Sequence, residues 1–123
     1  RRNNFNKLKV LFQNFDKYIK TFETTQGYET GWLAFPIMLK NYKHFNSRTE
    51  LQIKLEKSGI QTRTIFTGNI TRHPVANKFK WSVYGNLNNS NKIMESGILL
   101  GCHELITDKH INYLKEKLSE FFV

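Results

Sequence analysis

Apolar side chains recur every three or four residues in several parts of the chain, which is the spacing of one face of an α-helix. The first stripe lies in residues 3–22 and consists of Phe5, Leu8, Leu11, Phe12, Phe15, Ile19 and Phe22. A second helix is predicted over 47–58, because Ser47 and Glu50 form a capping-box sequence and Ser58-Gly59 supplies a stop. A third is predicted from Thr107 to the end of the chain, with Thr107 as the N-cap.

Short runs of branched and aromatic residues between these helices predict strands over 32–39, 60–66 and 98–100. Pro36 lies inside the first run and has no N–H to donate to a ladder, so we expect that strand to be bulged or at an edge. Residues 67–78 are predicted to be a loop, and 79–84 a short strand or extended segment. An asparagine-capped short helix should then lead to Met94.

This order of elements predicts an α/β (α+β) fold in which a small mixed or antiparallel sheet carries helices on one face. The chain has 123 residues, 39% of them hydrophobic and ten of them Phe, which is enough for one domain with its own core. No apolar run approaches the roughly 20 residues of a membrane span, so we expect no membrane association. The single cysteine, Cys102, permits no intrachain disulfide, and we expect it to be a small buried hydrophobe.

The net charge of +9 suggests an anionic partner. Part of it reflects a composition rich in lysine and asparagine, but residues 61–92 carry Arg63, Arg72, Lys78, Lys80 and Lys92 with no acid. One hypothesis is therefore a small basic nucleic-acid-binding module, which would need an exposed face of aromatic and basic side chains.

The stretch from Arg63 to Pro74 contains the best candidates for ligand binding. Arg63 and Arg72 could each hold a phosphate or carboxylate, and Asn69 could hydrogen-bond a sugar. The alternative is a surface loop with solvated arginines. The four histidines lack the spacing of metal ligands, so no metal site is expected, and no catalytic constellation is present. Trp32 and Trp81 fit core or interface positions better than ligand-stacking ones.

Four segments of the chain together carry a family resemblance: 31–37 (GWLAFPI), 58–63 (SGIQTR), 66–74 (FTGNITRHP) and 84–94 (YGNLNNSNKIM). They resemble the C-terminal domain of the DegT/DnrJ/EryC1/StrS family of pyridoxal-phosphate (PLP)-dependent sugar aminotransferases and dehydratases. The NDP-4-keto-6-deoxyhexose 3-dehydratase branch, which acts in deoxysugar and lipopolysaccharide biosynthesis, is the most similar. Residues 101–107 lack the proline and second glycine that the family carries in this turn.

The resemblance implies a fold-type-I transferase of which this chain is the small C-terminal domain. Residues 1–25 would form an interdomain helix and 26–123 the small domain, with the large cofactor-binding domain outside this chain. Asn69 and Arg72 would contact the sugar nucleotide or the cofactor, with Arg63 and His73 as weaker candidates. No residue of this chain is expected to be catalytic, and the isolated chain should be inactive.

The resemblance also implies partners. The cofactor would be pyridoxal or pyridoxamine phosphate, and the substrate a CDP- or GDP-linked hexose. The expected partners are the protein's own large domain, a second copy in a homodimer and an iron–sulfur reductase, in the cytoplasm. A sugar-nucleotide aminotransferase remains the alternative chemistry, because the deciding lysine or histidine lies in the large domain.

Overall fold

The computed structural model describes residues 1–40 and 43–122. The helices are α1 (Arg2–Gln13), α2 (Arg48–Lys57), α3 (Asn88–Ser96) and α4 (Asp108–Phe121). The strands are β1 (Ile19–Thr21), β2 (Ala34–Leu39), β3 (Thr62–Thr64) and β4 (Gly97–Gly101). They form one antiparallel sheet in the order β1-β2-β4-β3.

One face of this sheet carries the hydrophobic core. Alternate residues of β2 and β4 point to it, with Ile37 opposite Ile98 and Phe35 opposite Leu100. Helices α1, α2 and α4 cover that face with the buried side chains Phe5, Leu8, Leu11, Phe12, Leu51, Leu55, Leu114 and Leu118. The predicted fold class, an antiparallel sheet with helices on one face, is therefore confirmed.

Aromatic rings fill the space between α1 and the sheet. Phe5 stacks on Trp32 at a centroid distance of 4.3 Å, and Phe12 stacks on Phe35 at 5.3 Å. Cys102 is fully buried beside them, and its Sγ donates to the carbonyl of Trp32 at 3.3 Å. This burial raises the pKa of the thiol. The prediction that Cys102 is a small buried hydrophobe is confirmed. Trp32, predicted as a core or interface residue, is partly buried and packs against the core.

The first helix is shorter than its apolar stripe suggested. The prediction of a helix to residue 22 is wrong, since α1 ends at Gln13 and residues 14–18 form a turn. Ile19 then pairs with Leu39 in the β1–β2 ladder. Phe15 and Ile19 are both buried, as a continued helix would also require. The apolar spacing alone therefore could not distinguish a longer helix from a turn followed by a strand.

Pro36 lies in a central strand, which contradicts the expectation of an edge or bulged strand. β2 is flanked by β1 and β4. The short β1 ends at Thr21, opposite Ile37, so the position beside Pro36 lies beyond that ladder. On the side of β1, no strand residue lies opposite Pro36 that would need a hydrogen bond from its backbone nitrogen. The strand therefore tolerates a proline at this position.

The remaining elements differ from prediction mainly at their ends. β3 covers only Thr62–Thr64 of the predicted strand, and residues 79–84 belong to none of the described strands. Ser47 accepts the predicted capping bond from the Glu50 N–H at 3.3 Å, while the Glu50 carboxylate accepts from the Asn46 N–H rather than from Ser47.

The short helix before β4 is α3, and it runs two residues past Met94. Leu87 rather than an asparagine occupies the N-cap position, but the Oδ1 of Asn86, one residue earlier, accepts from the N–H of Asn88 at 3.3 Å. Thr107 caps α4 as predicted, with its side chain bonded to the third helical residue. Among the described helices, none combines the length and the apolar character needed to cross a membrane.

Candidate functional site

The candidate residues lie on the segment 65–78, which leaves β3 and contains two short 3-10 helices, Ile70–Arg72 and Pro74–Lys78. Asn69 starts the first of them. Its Oδ1 accepts from the Thr71 N–H at 3.0 Å and from the Thr71 hydroxyl at 2.6 Å, and its side chain is almost fully buried. The side-chain oxygen of Asn69 therefore already accepts two hydrogen bonds, and these bonds stabilise the turn.

This segment packs directly against α3. Gly68 adopts a φ of +69°, and a Cβ placed there would lie 2.7 Å from the Cβ of Met94. Only glycine combines that backbone conformation with such a close approach. Arg48, at the start of α2, also bonds to this position of α3, because its Nη1 donates to the Met94 carbonyl at 2.6 Å.

A polar network joins the segment to α3. Asn69 Nδ2 donates to Asn91 Oδ1 at 2.7 Å. Arg72 Nη1 donates to the same oxygen at 3.4 Å and to Glu95 Oε1 at 2.6 Å. The structure thus brings the predicted residues Asn69 and Arg72 together through Asn91 and Glu95, which the sequence analysis missed. Their four-residue spacing, which reaches one residue past the predicted end of the short helix at Met94, is the signal that could have indicated them.

The other two candidates lie outside this network. The Nε2–H of His73 donates to the Thr67 carbonyl at 2.8 Å, which closes the segment on itself. Arg63 lies on β3 opposite Leu99, whereas its neighbours Thr62 and Thr64 lie opposite the core residues Leu100 and Ile98. Arg63 therefore points away from the core face, and it makes no hydrogen bond or ion pair with any described residue.

The chemistry available in this network is binding rather than proton transfer. Arg72 is the cation of the network, and its side chain is 46% exposed. It can meet an anion from solution through charge-assisted hydrogen bonds. In residues 1–40 and 43–122, no cluster of three or more His, Cys, Asp or Glu could hold a metal ion.

Residues 79–84, the aromatic segment, follow the candidate site and are highly exposed. Phe79 is 65% exposed, Trp81 45% and Tyr84 fully exposed. Trp81 is therefore not a core residue, and the interface and ligand-stacking alternatives stay open for it. Exposed apolar side chains concentrated in one segment are typical of a surface that contacts another molecule or domain.

Comparison with known proteins identifies the family. A family model described as the DegT/DnrJ/EryC1/StrS aminotransferase family matches residues 1–119. The chain belongs to this family. The resemblance inferred from the four sequence segments is thereby confirmed.

The relatives of this DegT/DnrJ/EryC1/StrS chain include 3-dehydratases. The lipopolysaccharide biosynthesis protein RfbH of Salmonella typhimurium is 34% identical over 122 residues, which cover 99% of this chain and 28% of RfbH. The structure of an E. coli GDP-4-keto-6-deoxy-D-mannose-3-dehydratase with bound hydrated PLP matches with a TM-score of 0.82 and 27% identity, over 95% of this chain and 29% of that one. A mutant GDP-4-keto-6-deoxymannose-3-dehydratase with bound GDP-perosamine matches with a TM-score of 0.81 and 27% identity, over 95% and 30% of the two chains.

The chain thus spans less than a third of the length of these relatives. PLP is the cofactor of this family, and in its aminotransferases the PLP aldehyde binds through a lysine amine. None of the lysines in the described part of this chain is buried, and the polar groups of the network bond to one another. The described residues therefore do not by themselves form a PLP site.

Proposed function

We propose that this chain is the C-terminal domain of a PLP- or pyridoxamine-phosphate-dependent enzyme that dehydrates an NDP-4-keto-6-deoxyhexose at C3. The proposal rests on the similarity to proteins named as 3-dehydratases, among them the E. coli GDP-4-keto-6-deoxy-D-mannose-3-dehydratase whose structure matches 95% of this chain. The match to RfbH over nearly the whole chain, including the segment that contains Arg72, adds the link to lipopolysaccharide biosynthesis. In this proposal residues 1–25 join the small domain, 26–123, to a large domain that binds the cofactor. The pathway is deoxysugar and lipopolysaccharide biosynthesis.

In the proposed complex, Arg72 binds the diphosphate or a carboxylate of the sugar nucleotide. Its exposed guanidinium has the charge and the planar donors for that contact. Asn69 acts through the shape of the segment, because its oxygen and one N–H are already bonded inside the protein. Arg63 and His73 stay weaker candidates for substrate contact, His73 because its Nε2 is bonded to Thr67.

The same family context supports further proposals about the whole protein. We place it in the cytoplasm as a homodimer, with an iron–sulfur reductase as a further partner. The exposed aromatic segment supports contact with the large domain or a second subunit, since Trp81 and Tyr84 have no place in the core of this domain.

The test is the full-length protein with Arg72→Ala. Loss of a charge-assisted hydrogen bond of about 1.5–3 kcal/mol should weaken nucleotide-sugar binding by about tenfold or more. Calorimetric titration measures the affinity, and thermal unfolding shows that the fold is kept. Arg2→Ala is the matched control, because Arg2 also forms an exposed ion pair, with Glu29. Equal affinities of Arg72→Ala and the unmodified protein would refute the assignment of Arg72.

Transamination of a keto sugar is the alternative chemistry within the family. The two reactions differ in their products, a 3-deoxy sugar or an amino sugar. Mass spectrometry distinguishes them after the full-length protein is incubated with a 4-keto-6-deoxyhexose nucleotide and glutamate, with and without a reduced iron–sulfur reductase that supplies the two electrons needed to replace the 3-hydroxyl by hydrogen. If the product is an amino sugar that retains its 3-hydroxyl, the activity is transamination and the proposal of dehydration is wrong.

A nucleic-acid-binding module is the second candidate, and the aromatic segment favours it. Trp81 and Tyr84 are exposed, and Lys78 and Lys80 alternate with Phe79 and Trp81 along the chain. Proteins that bind single-stranded nucleic acid use such exposed aromatic and basic side chains. Filter binding of single-stranded DNA and RNA at rising salt tests this function. Binding that falls steeply with salt would support it, whereas no binding at low salt would exclude it.

A further inference from the structure

Arg72 is held at only one of its nitrogens. Nη1 donates to both Glu95 and Asn91, while no described residue accepts from Nε or Nη2. The Nε–H and one Nη2–H lie on a single edge of the planar guanidinium, and this edge matches two oxygens of a phosphoryl or carboxylate group. The side chain is thus bonded on one side and retains a complete two-donor edge on the other.

The groups that hold Arg72 belong to a fixed part of the structure. Asn91 Oδ1 is itself bonded to Nδ2 of the buried Asn69 at 2.7 Å. Asn91 and Glu95 lie one turn apart on α3, so both can reach the same guanidinium nitrogen. Helix α3 is in turn held by the bond from Arg48 to Met94. The direction of the Arg72 side chain is therefore set by α3 as well as by its own segment.

The Arg72–Glu95 pair contributes little to stability. The two side chains are 46% and 57% exposed, and ion pairs at such positions are worth about 0–1 kcal/mol. Its main physical consequence is orientation, because a free arginine side chain samples many rotamers that a bound anion would have to restrict. An arginine already held at Nη1 loses less of this freedom when an anion binds.

We infer that Asn91 and Glu95 are positioning residues that present the Nε/Nη2 edge of Arg72 to a phosphoryl group of the nucleotide diphosphate. This inference rests on the proposed function, which assigns Arg72 to the nucleotide sugar. The opposite role is physically distinct: if Glu95 competed with the substrate for Arg72, its removal would strengthen anion binding.

The experiment measures binding of GDP and CDP, and the KM and kcat for the corresponding keto sugars, with the full-length protein. Glu95→Ala should weaken binding of the preferred nucleotide about fivefold and raise KM with little change in kcat, because orientation is lost before the chemical step. Glu95→Gln should restore affinity to within about twofold, since its amide oxygen can still accept from Nη1. Glu120→Ala is the control, because Glu120 is a helical glutamate that is exposed to a similar extent and also forms an ion pair, with Lys117.

A double-mutant cycle separates positioning from a structural effect. In an Arg72→Ala background, Glu95→Ala should change nucleotide affinity no further. An equal loss in that background, unchanged or tighter binding by Glu95→Ala, or no recovery in Glu95→Gln would each overturn the inference. If Arg72→Ala itself leaves affinity unchanged, the assignment of Arg72 in the proposed function fails. If only Glu95→Ala leaves it unchanged, the positioning role alone fails.

Discussion

The two parts of this molecule are held together by different forces. On the helical face of the sheet, apolar side chains such as Phe12, Leu51 and Leu118 are almost entirely buried. In residues 65–96, by contrast, the segment after β3 is joined to α3 by side-chain hydrogen bonds, and large apolar side chains face solvent. The first region stabilises the domain through non-directional burial, while the second fixes the direction of individual polar groups.

The largest expected effect tests this contrast with one residue type. Phe35 is fully buried between Phe5 and Phe12, whereas Phe66 is 93% exposed. Phe35→Ala should lower the free energy of unfolding by about 3–5 kcal/mol through lost burial and a cavity. Phe66→Ala should change it by no more than about 0.5 kcal/mol. Urea denaturation measures both, and similar losses in the two variants would contradict the contrast.

An intermediate effect is expected where the second region is tightly packed. Gly68→Ala places a methyl group against Met94 in addition to straining a positive φ. The matched control is Gly27→Ala, with φ of +84° and no atom within 4 Å of the added Cβ. The strain alone costs about 1–2 kcal/mol, and the clash should cost Gly68→Ala about 1–3 kcal/mol more.

Gly68→Ala should also lower nucleotide affinity in the full-length protein, because it displaces the segment that carries Arg72. Urea denaturation and calorimetric titration measure the two effects. Equal stability losses for the alanine variants at positions 68 and 27 would show that the segment is not packed on α3 as described.

The smallest effect concerns Cys102 in the first region. Burial raises the pKa of its thiol in the folded state, so folding favours the protonated form. The protonated thiol therefore contributes its full stabilisation below about pH 8.5, the pKa of a cysteine in the unfolded chain. This stabilisation is lost as the pH rises through the higher pKa of Cys102 in the folded state. Between pH 7 and 10, the free energy of unfolding should fall less in Cys102→Ala than in the unmodified protein. Parallel pH profiles would show that the thiol is not buried.

Local signals in the sequence predicted much of the fold. Helix α2 follows from the Ser47 cap and a glycine stop, and α4 from the Thr107 cap and its apolar spacing, because these bonds form between residues within a few positions of one another. The end of α1 and the position of Pro36 depend on strand pairing between distant residues, such as Ile19 with Leu39. The spacing of apolar residues does not contain that information.

The same division applies to the candidate site. The sequence by itself indicated Asn69 and Arg72 as neighbours in a basic segment without acidic residues, and the family of the chain. Only the tertiary structure placed Asn91 and Glu95 beside them, some twenty residues further along the chain. It also decided which edge of Arg72 is free, because the direction of a side chain depends on the partners that folding brings within hydrogen-bond distance.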